Sequence, residues 1–304
     1  MEKRILLLIG VLFVALCLIG AYIYITLQTE KEISKRIGVV VSILPQAEFA
    51  EKVGGDKVQV TVMVPLGASP HTYEPTPSQL KEVSKAKMYA KVGSGVEFEL
   101  TWMDKIISVN REMLVVDCSK GIELIGEEHG HEGEHHEHKE EHKHHGADPH
   151  IWLSPKNAKI MVENIYQGLI QIDPPNQEYY ARNKEKYLQE LDELDNGIVQ
   201  ALSGKKNRKI MVYHPAWAYF ARDYGLEQIP IEKEGKEPTP QGIASLIKQA
   251  KENNITVIFA SPQFSTKSAE VIAKEINGKV VLISPLEKNY LENMRKVAEA
   301  FAKG

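Results

Sequence analysis

The sequence is organised as two successive groups of short β-branched runs, each run followed by a stretch with helical periodicity. Such alternation is typical of βαβ units, which build parallel sheets. The pattern therefore predicts an α/β fold of two lobes, each with a mainly parallel four-stranded sheet flanked by helices. The predicted strands are Val39–Ile43, Val58–Val64, Met88–Val92 and Leu114–Asp117, followed by Lys209–Tyr213, Leu226–Pro230, Ile255–Ala260 and Val280–Ile283.

A long stretch without strand character separates the two groups. Between Asn176 and Ser203 the only Gly or Pro is Gly197, and apolar side chains recur at helical spacing. A helix of this length reaches ~40 Å at about 1.5 Å per residue, so it can join two lobes as one rigid helix; a surface helix of one lobe is the alternative. The predicted units are an N-terminal lobe over residues 37–175, a linking helix over residues 176–203 and a C-terminal lobe over residues 204–304.

The N-terminal segment is strongly apolar. The run from Ile5 to Leu27 contains no charged residue, and ~20 apolar residues suffice to cross the hydrocarbon core of a membrane. Lys3 and Arg4 precede the run and, by the positive-inside rule, keep the N-terminus in the cytoplasm. We therefore expect residues 1–36 to form an uncleaved transmembrane anchor and linker at the extracytoplasmic face of the cell membrane. A lipid anchor and a cleaved signal are the alternatives.

The composition narrows the classes of partner and site. A formal net charge of −4 gives no electrostatic reason to expect nucleic acid. Cys17 and Cys118 are too few and too far apart to form a thiolate zinc site.

Histidine is the unusual residue, because most of the 11 histidines fall in one acidic loop over residues 127–146. A tract of this composition cannot pack into a core, and it either binds metal weakly or is simply a solvated charge run. Its histidines are His129, His131, His135, His136, His138, His142, His144 and His145.

Three further histidines lie outside this loop, each after a predicted strand. His214 directly follows one strand, His71 lies in the loop after another, and His150 lies between the last strand of the first lobe and the next helix. Ligands of open α/β sheets bind beyond the carboxyl ends of the strands, so these side chains can meet in a cleft between the lobes. Three neutral imidazoles are a typical ligand set for zinc. Asp148 is placed to accept a hydrogen bond from an imidazole N–H.

Five segments carry a family resemblance. They are VSILPQAEFAEKVGGD, VPLGASPHTYEPTPSQL, DPHIWLSP, YHPAWAYFARDYGL and FASPQFSTKSAEVIAKE, in this order along the chain. Together with the His-rich loop, they resemble the zinc-type members of the metal-specific solute-binding proteins of ABC transporters. The resemblance implies a buried metal between two lobes, with His71, His150 and His214 as its ligands. It also implies an ABC permease and its ATPase as partners.

The last quarter of the chain departs from the family pattern. Ser261 stands where the family usually has an acidic residue, and Ser284 stands where it has an aspartate ligand. The fourth ligand position is therefore open. We expect water there, with Ser284, Glu287 or a loop histidine as other candidates, and we consider Glu74 as a possible neighbour of the metal-binding histidines. Loss of the hard carboxylate ligand favours zinc over manganese.

These observations predict a monomeric, non-enzymatic protein that binds Zn²⁺ as transported ligand and delivers it to the permease. A manganese or other divalent-metal protein of the same importer type is one alternative. A second is a zinc hydrolase that uses the open three-histidine site, with Glu74 or Glu287 as general base. A third is an adhesin or a passive metal buffer.

Overall fold

The computed structural model describes residues 18–19, 36–126, 146–233 and 235–304. In the N-terminal lobe the sheet order is β2-β1-β3-β4, and every strand pair is parallel. The strands are β1 (Ile37–Val41), β2 (Val58–Val62), β3 (Met88–Lys91) and β4 (Leu114–Asp117). The helices are α1 (Leu44–Gly54), α2 (Pro77–Val83), α3 (Glu97–Val109) and α4 (Pro155–Ile172).

The C-terminal lobe repeats this arrangement, with the order β6-β5-β7-β8 and every pair again parallel. The strands are β5 (Lys209–Val212), β6 (Glu227–Pro230), β7 (Val257–Ala260) and β8 (Lys279–Leu282). The helices are α6 (Ala218–Tyr224), α7 (Pro240–Glu252), α8 (Lys267–Glu275) and α9 (Tyr290–Lys303). The predicted α/β class with two four-stranded sheets is confirmed, and both sheets are entirely parallel.

Helix α5 (Gln177–Leu202) joins the two lobes and is 26 residues long. It packs against α1 and α4 of the N-terminal lobe and against α9 of the C-terminal lobe. The side chains that it buries are the apolar positions that predicted it, namely Tyr180, Tyr187, Leu191, Leu194, Ile198 and Leu202. The long connecting helix is therefore confirmed, and its buried face is shared by both lobes.

Local sequence signals define the starts of two helices. Thr76 accepts a hydrogen bond from the backbone N–H of Gln79 and donates its own backbone N–H to the Gln79 side chain, which forms a capping box before α2. Thr239 caps α7 through the N–H of Gly242 at 3.1 Å. In both helices proline occupies the first position, where its missing N–H costs nothing.

Apolar side chains at helical spacing predict a last helix over Glu287–Ala302. In the structure this helix begins at Tyr290. The preceding residues run along the N-terminal lobe, where the Trp152 Nε1–H donates to the Pro285 carbonyl at 2.7 Å. Contacts to the other lobe thus replace the first helical turn that amphipathic periodicity predicts.

The predicted membrane segment, Ile5–Leu27, lies outside the described residues apart from Leu18 and Ile19, and so do all the histidines of the loop. Within the part of the chain that the structure describes, every helix is too short or too polar to cross a membrane.

Candidate metal centre

His71, His150 and His214 lie together between the lobes, and each offers a ring nitrogen within 4.8 Å of the other two. The ring centroid of His214 lies 5.1 Å from the ring centroid of His71 and 5.1 Å from that of His150. The Nε2 atoms of His150 and His214 are 3.2 Å apart. Nitrogens that bind one tetrahedral zinc at ~2.1 Å lie about 3.4 Å apart, so this spacing suits a single shared ion.

The fold brings each histidine to the site from the carboxyl end of a strand. His214 lies two residues beyond β5, and His71 lies in the loop that follows β2, where its backbone N–H donates to Ser69 Oγ at 3.3 Å. His150 follows β4 and immediately precedes a short 3₁₀ turn, Ile151–Leu153, that leads into α4. Parallel sheets place these ends along one edge, which is why residues distant in sequence converge there.

A carboxylate contacts the Nδ1 atom of each histidine ring. The pairs are His71–Glu97 at 2.9 Å, His150–Asp148 at 2.9 Å and His214–Glu232 at 3.0 Å. A carboxylate accepts a hydrogen bond from Nδ1–H and so leaves the Nε2 lone pair free to bind a metal. The Nε2 atoms of His150 and His214 accordingly face each other.

Asp148 contacts His150 as the sequence predicts, whereas Glu97 and Glu232 are partners that were not predicted. Glu97 is the first residue of α3, shortly after β3, and Glu232 lies two residues beyond β6. Both glutamates therefore follow strand ends, as the histidines do. Applying the same topological rule to acidic residues finds them.

The cleft has an acidic lining, and the described residues that line it include no lysine or arginine. Its carboxylates are Glu97, Asp148, Glu232 and Glu237. Fixed negative charges of this kind attract a cation to the site.

The surroundings shift the pKa values of two of the imidazole rings in opposite directions. The hydrogen bond to Glu97 raises the pKa of His71 above its ordinary value. Burial lowers the pKa of His214 and so favours the neutral form that binds metal.

The chain resembles known proteins over most of its length. Residues 39–304 match the family model described as "Zinc-uptake complex component A periplasmic". The chain belongs to this zinc-uptake family.

Individual relatives support the assignment. The high-affinity zinc uptake system protein ZnuA of Bacillus subtilis is 35% identical over 260 residues, which cover 83% of this chain and 79% of that protein. The zinc-binding lipoprotein AdcA of Streptococcus pneumoniae is 28% identical over 314 residues; the match takes in 96% of this chain but only 60% of that protein. A solved structure described as ZnuA superposes with a TM-score of 0.81 at 42% identity, covering 88% of this chain and 99% of that chain.

Membership in the zinc-uptake family confirms the resemblance to metal-specific solute-binding proteins. It also places the chain among transport components rather than enzymes.

Three predicted site residues do not join the histidines in this family member. Glu74 is exposed and lies outside the cleft lining. Ser284 and Glu287 line a different cavity, between β8 and α9. Ser284 Oγ instead accepts the backbone N–H of Leu286 at 3.3 Å, so it stabilises a turn. Pro285 and Leu286 line a cavity with the three rings, but the candidate ligands Ser284 and Glu287 on either side of them do not.

Two aromatic rings pack against the histidines. Phe264, after β7, stacks on His214 with centroids 4.8 Å apart and planes at 29°. The Trp152 ring lies 5.3 Å from that of His150. Each aromatic ring therefore limits the movement of the imidazole that it contacts.

Proposed function

We propose that this protein is the extracytoplasmic, high-affinity zinc-binding component of an ABC importer, and that it passes the metal to a membrane permease driven by an ATPase. It binds one Zn²⁺ as transported ligand through the Nε2 atoms of His71, His150 and His214. The observation that carries the proposal is the convergence of these three rings between the lobes, each held by a carboxylate. The zinc-uptake and zinc-binding names of the relatives support it.

The donor set favours zinc over manganese. Three imidazole nitrogens suit zinc, whereas manganese prefers carboxylate, carbonyl and water oxygens. The carboxylates of Glu97, Asp148 and Glu232 are engaged with histidine rings. We propose that water completes the tetrahedron, because Ser284 and Glu287 line another cavity.

We further propose auxiliary roles for the two segments outside the described residues. The His-rich loop binds additional zinc weakly, which its composition supports. Gly126, just before this loop, and Gly146, its last residue, both line the cleft, so the loop begins and ends beside the primary site. The apolar run from Ile5 to Leu27 tethers the protein to the membrane, as its length and lack of charge support.

Competition titration against a fluorescent zinc chelator tests the binding site. The wild-type chain is expected to show one tight site and several weak ones. Replacing His71, His150 and His214 together with alanine should abolish the tight site alone. The matched control replaces all eight loop histidines with glutamine and should abolish the weak sites alone. Several equivalent weak sites in the wild-type chain would contradict the three-histidine centre.

Delivery needs a test in the cell. Deleting the gene is expected to abolish growth at low zinc, and the wild-type gene but not the triple-alanine variant should restore it. Deleting the permease gene should have the same effect and should make this protein unable to support growth. Normal uptake without the permease would show that the bound zinc has another destination.

A further inference from the structure

The segment Ser284–Asn289, here called the inter-lobe strap, connects β8 to α9 but lies against the opposite lobe. At one end of the strap, Trp152 of the N-terminal lobe donates its Nε1–H to the Pro285 carbonyl at 2.7 Å. Beyond the other end, Glu48 of α1 accepts the Tyr290 backbone N–H at 2.6 Å. The N-terminal lobe therefore holds both ends of a segment that belongs to its partner lobe.

Glu48 is the centre of a three-way junction. One carboxylate oxygen accepts the Tyr290 N–H, and the other accepts the Tyr187 hydroxyl of α5 at 2.8 Å. Tyr290 is the first residue of α9, and Asn289 before it provides no side-chain cap. The unpaired N–H groups and the positive dipole end of a helix favour a carboxylate at this position. Helix α9 thus receives its N-terminal carboxylate from the other lobe.

The strap also reaches the metal centre. Pro285 and Leu286 line a small cavity together with all three site histidines. The ring of Trp152, which binds the Pro285 carbonyl, lies 5.3 Å from the His150 ring. The strap therefore lies between the metal site and the junction at Glu48.

Its position matters because the site is divided between the lobes. His71 and His150 belong to the N-terminal lobe, whereas His214 follows β5 of the C-terminal lobe. A displacement of one lobe changes the separation between His214 and the other two rings. Contacts that hold the lobes at the binding separation before metal arrives raise the apparent affinity, because they raise the fraction of molecules competent to bind.

We propose that Glu48 is a positioning residue for zinc binding: it holds the inter-lobe strap and α9 against the N-terminal lobe, and thereby sets the distance of His214 from His71 and His150. This inference rests on the proposed three-histidine zinc site. It concerns a residue that does not touch the metal.

Glu51 provides a matched control on the same helix. It pairs with Lys288 of the strap at 2.8 Å, but the side chains are 44% and 49% exposed. Exposed ion pairs of this kind contribute little to stability. Glu48→Gln and Glu51→Gln each remove one negative charge from the same helix, but only Glu48→Gln alters the junction.

The first measurement is the rate of zinc transfer from the full-length chain to a chelator. Glu48→Gln is expected to weaken affinity by about tenfold, as a fall of the competent fraction to about one tenth predicts. It is also expected to speed zinc dissociation, because the lobe that carries His214 is held less firmly. Tyr187→Phe, which frees one oxygen of Glu48, is expected to have a smaller effect in the same direction. Glu51→Gln should match the wild type. A lower melting temperature for Glu48→Gln with unchanged zinc affinity and dissociation rate would reduce Glu48 to a stabilising contact.

The second measurement needs no metal. Spin labels at the exposed positions Glu112 and Lys251 report the distance between the lobes. In the metal-free protein, Glu48→Gln and Tyr187→Phe are expected to lengthen or broaden this distance, whereas Glu51→Gln is not. Identical distributions in all variants would overturn the proposal. If the wild-type chain fails to bind zinc, the proposed function fails, and this measurement still decides the role of Glu48.

Discussion

The two lobes share one sheet order but contribute differently to the site. In each lobe the first strand is central, the second lies outside it, and the third and fourth follow on the other side. The N-terminal lobe carries His71 after its second strand and His150 after its fourth. The equivalent places in the C-terminal lobe carry Glu232 and Ser284, and its single histidine, His214, follows the first strand. Equal topology therefore supplies equivalent positions, and the residues at those positions decide the chemistry.

The lobes also differ in packing. The main hydrophobic core is continuous from the N-terminal sheet through α5 to α9, as Val39, Leu191 and Phe301 illustrate. The outer face of the C-terminal sheet has a smaller core of its own, which includes Met211, Ile258 and Ile272. The lobe with two site histidines thus shares its core with the linking helix, whereas part of the other lobe packs separately. Zinc at the proposed three-histidine site would link the two lobes.

Removing the only site histidine of the C-terminal lobe tests this division most strongly. In His214→Ala the remaining site histidines, His71 and His150, both belong to the N-terminal lobe, so zinc cannot connect the two lobes. We expect a loss of affinity well beyond the ~10–100-fold cost of losing an outer partner of a metal ligand. The zinc-dependent rise in melting temperature should disappear, because a ligand stabilises the state that binds it. Differential scanning fluorimetry measures the melting temperature with and without zinc. If zinc still raised the melting temperature of the variant, the N-terminal lobe would be able to bind zinc without His214.

The carboxylate partners provide a second comparison. The Glu232 side chain is 5% exposed, whereas the Glu97 side chain is 48% exposed. Glu232→Gln is expected to weaken zinc binding by about 10–100-fold, because the hydrogen bond that orients buried His214 loses its charged acceptor. Glu97→Gln should cost less, since water screens the charge of an exposed carboxylate. Chelator competition on both variants measures the difference, and equal losses would show that burial does not matter here.

Acid should affect the N-terminal lobe first. The pKa of His71 is raised chiefly by its hydrogen bond to Glu97, and the pKa of His214 is lowered chiefly by burial. In metal-free protein we expect His71 to protonate above the ordinary pKa of about 6.5 and His214 below it. Zinc binds neutral imidazole, so affinity should begin to fall as the pH falls through the His71 pKa.

The folding stability of the metal-free protein depends on pH in the opposite direction from the zinc affinity. The His71 contribution is fully present below about pH 6.5 and is lost as the pH rises through the raised pKa. NMR titration of the imidazoles checks the order, and Glu97→Gln should shift the His71 midpoint to lower pH. A higher midpoint for His214 than for His71 would contradict the assignment.

The smallest effect is expected where the lobes differ at the end of their fourth strands. Ser284 lines a cavity other than the histidine cleft and stabilises a turn through Leu286. Ser284→Ala and Glu287→Ala should therefore leave the zinc dissociation constant within about twofold of the wild type, since a twofold change is only ~0.4 kcal/mol. Isothermal titration on each variant measures this, and a large loss in either would restore that residue as a ligand.

Much of the fold followed from local patterns. The bounds of β4 and the buried face of α5 agree with the prediction. Thr76 before Pro77 and Thr239 before Pro240 are capping signals that the sequence displays, and both cap a helix in the structure. Hydrophobic periodicity and capping depend on neighbours within a few residues, so a sequence displays them directly. The convergence of the three histidines also followed from the sequence, because strand ends of parallel sheets share an edge.

Tertiary structure alone decided the contacts between distant segments. Trp152 meets the Pro285 carbonyl across 133 positions, and Glu48 meets the Tyr290 N–H across 242. With these contacts in place, α9 begins at Tyr290, later than its amphipathic pattern predicts. Ser284 lies in a turn away from the three imidazole rings. The sequence by itself determined which elements form and which histidines can meet. The folding of each lobe brought Glu97 to His71 and Glu232 to His214. The packing of one lobe on the other decided how far His214 lies from His71 and His150, because that spacing depends on distances in the folded chain that no local pattern records.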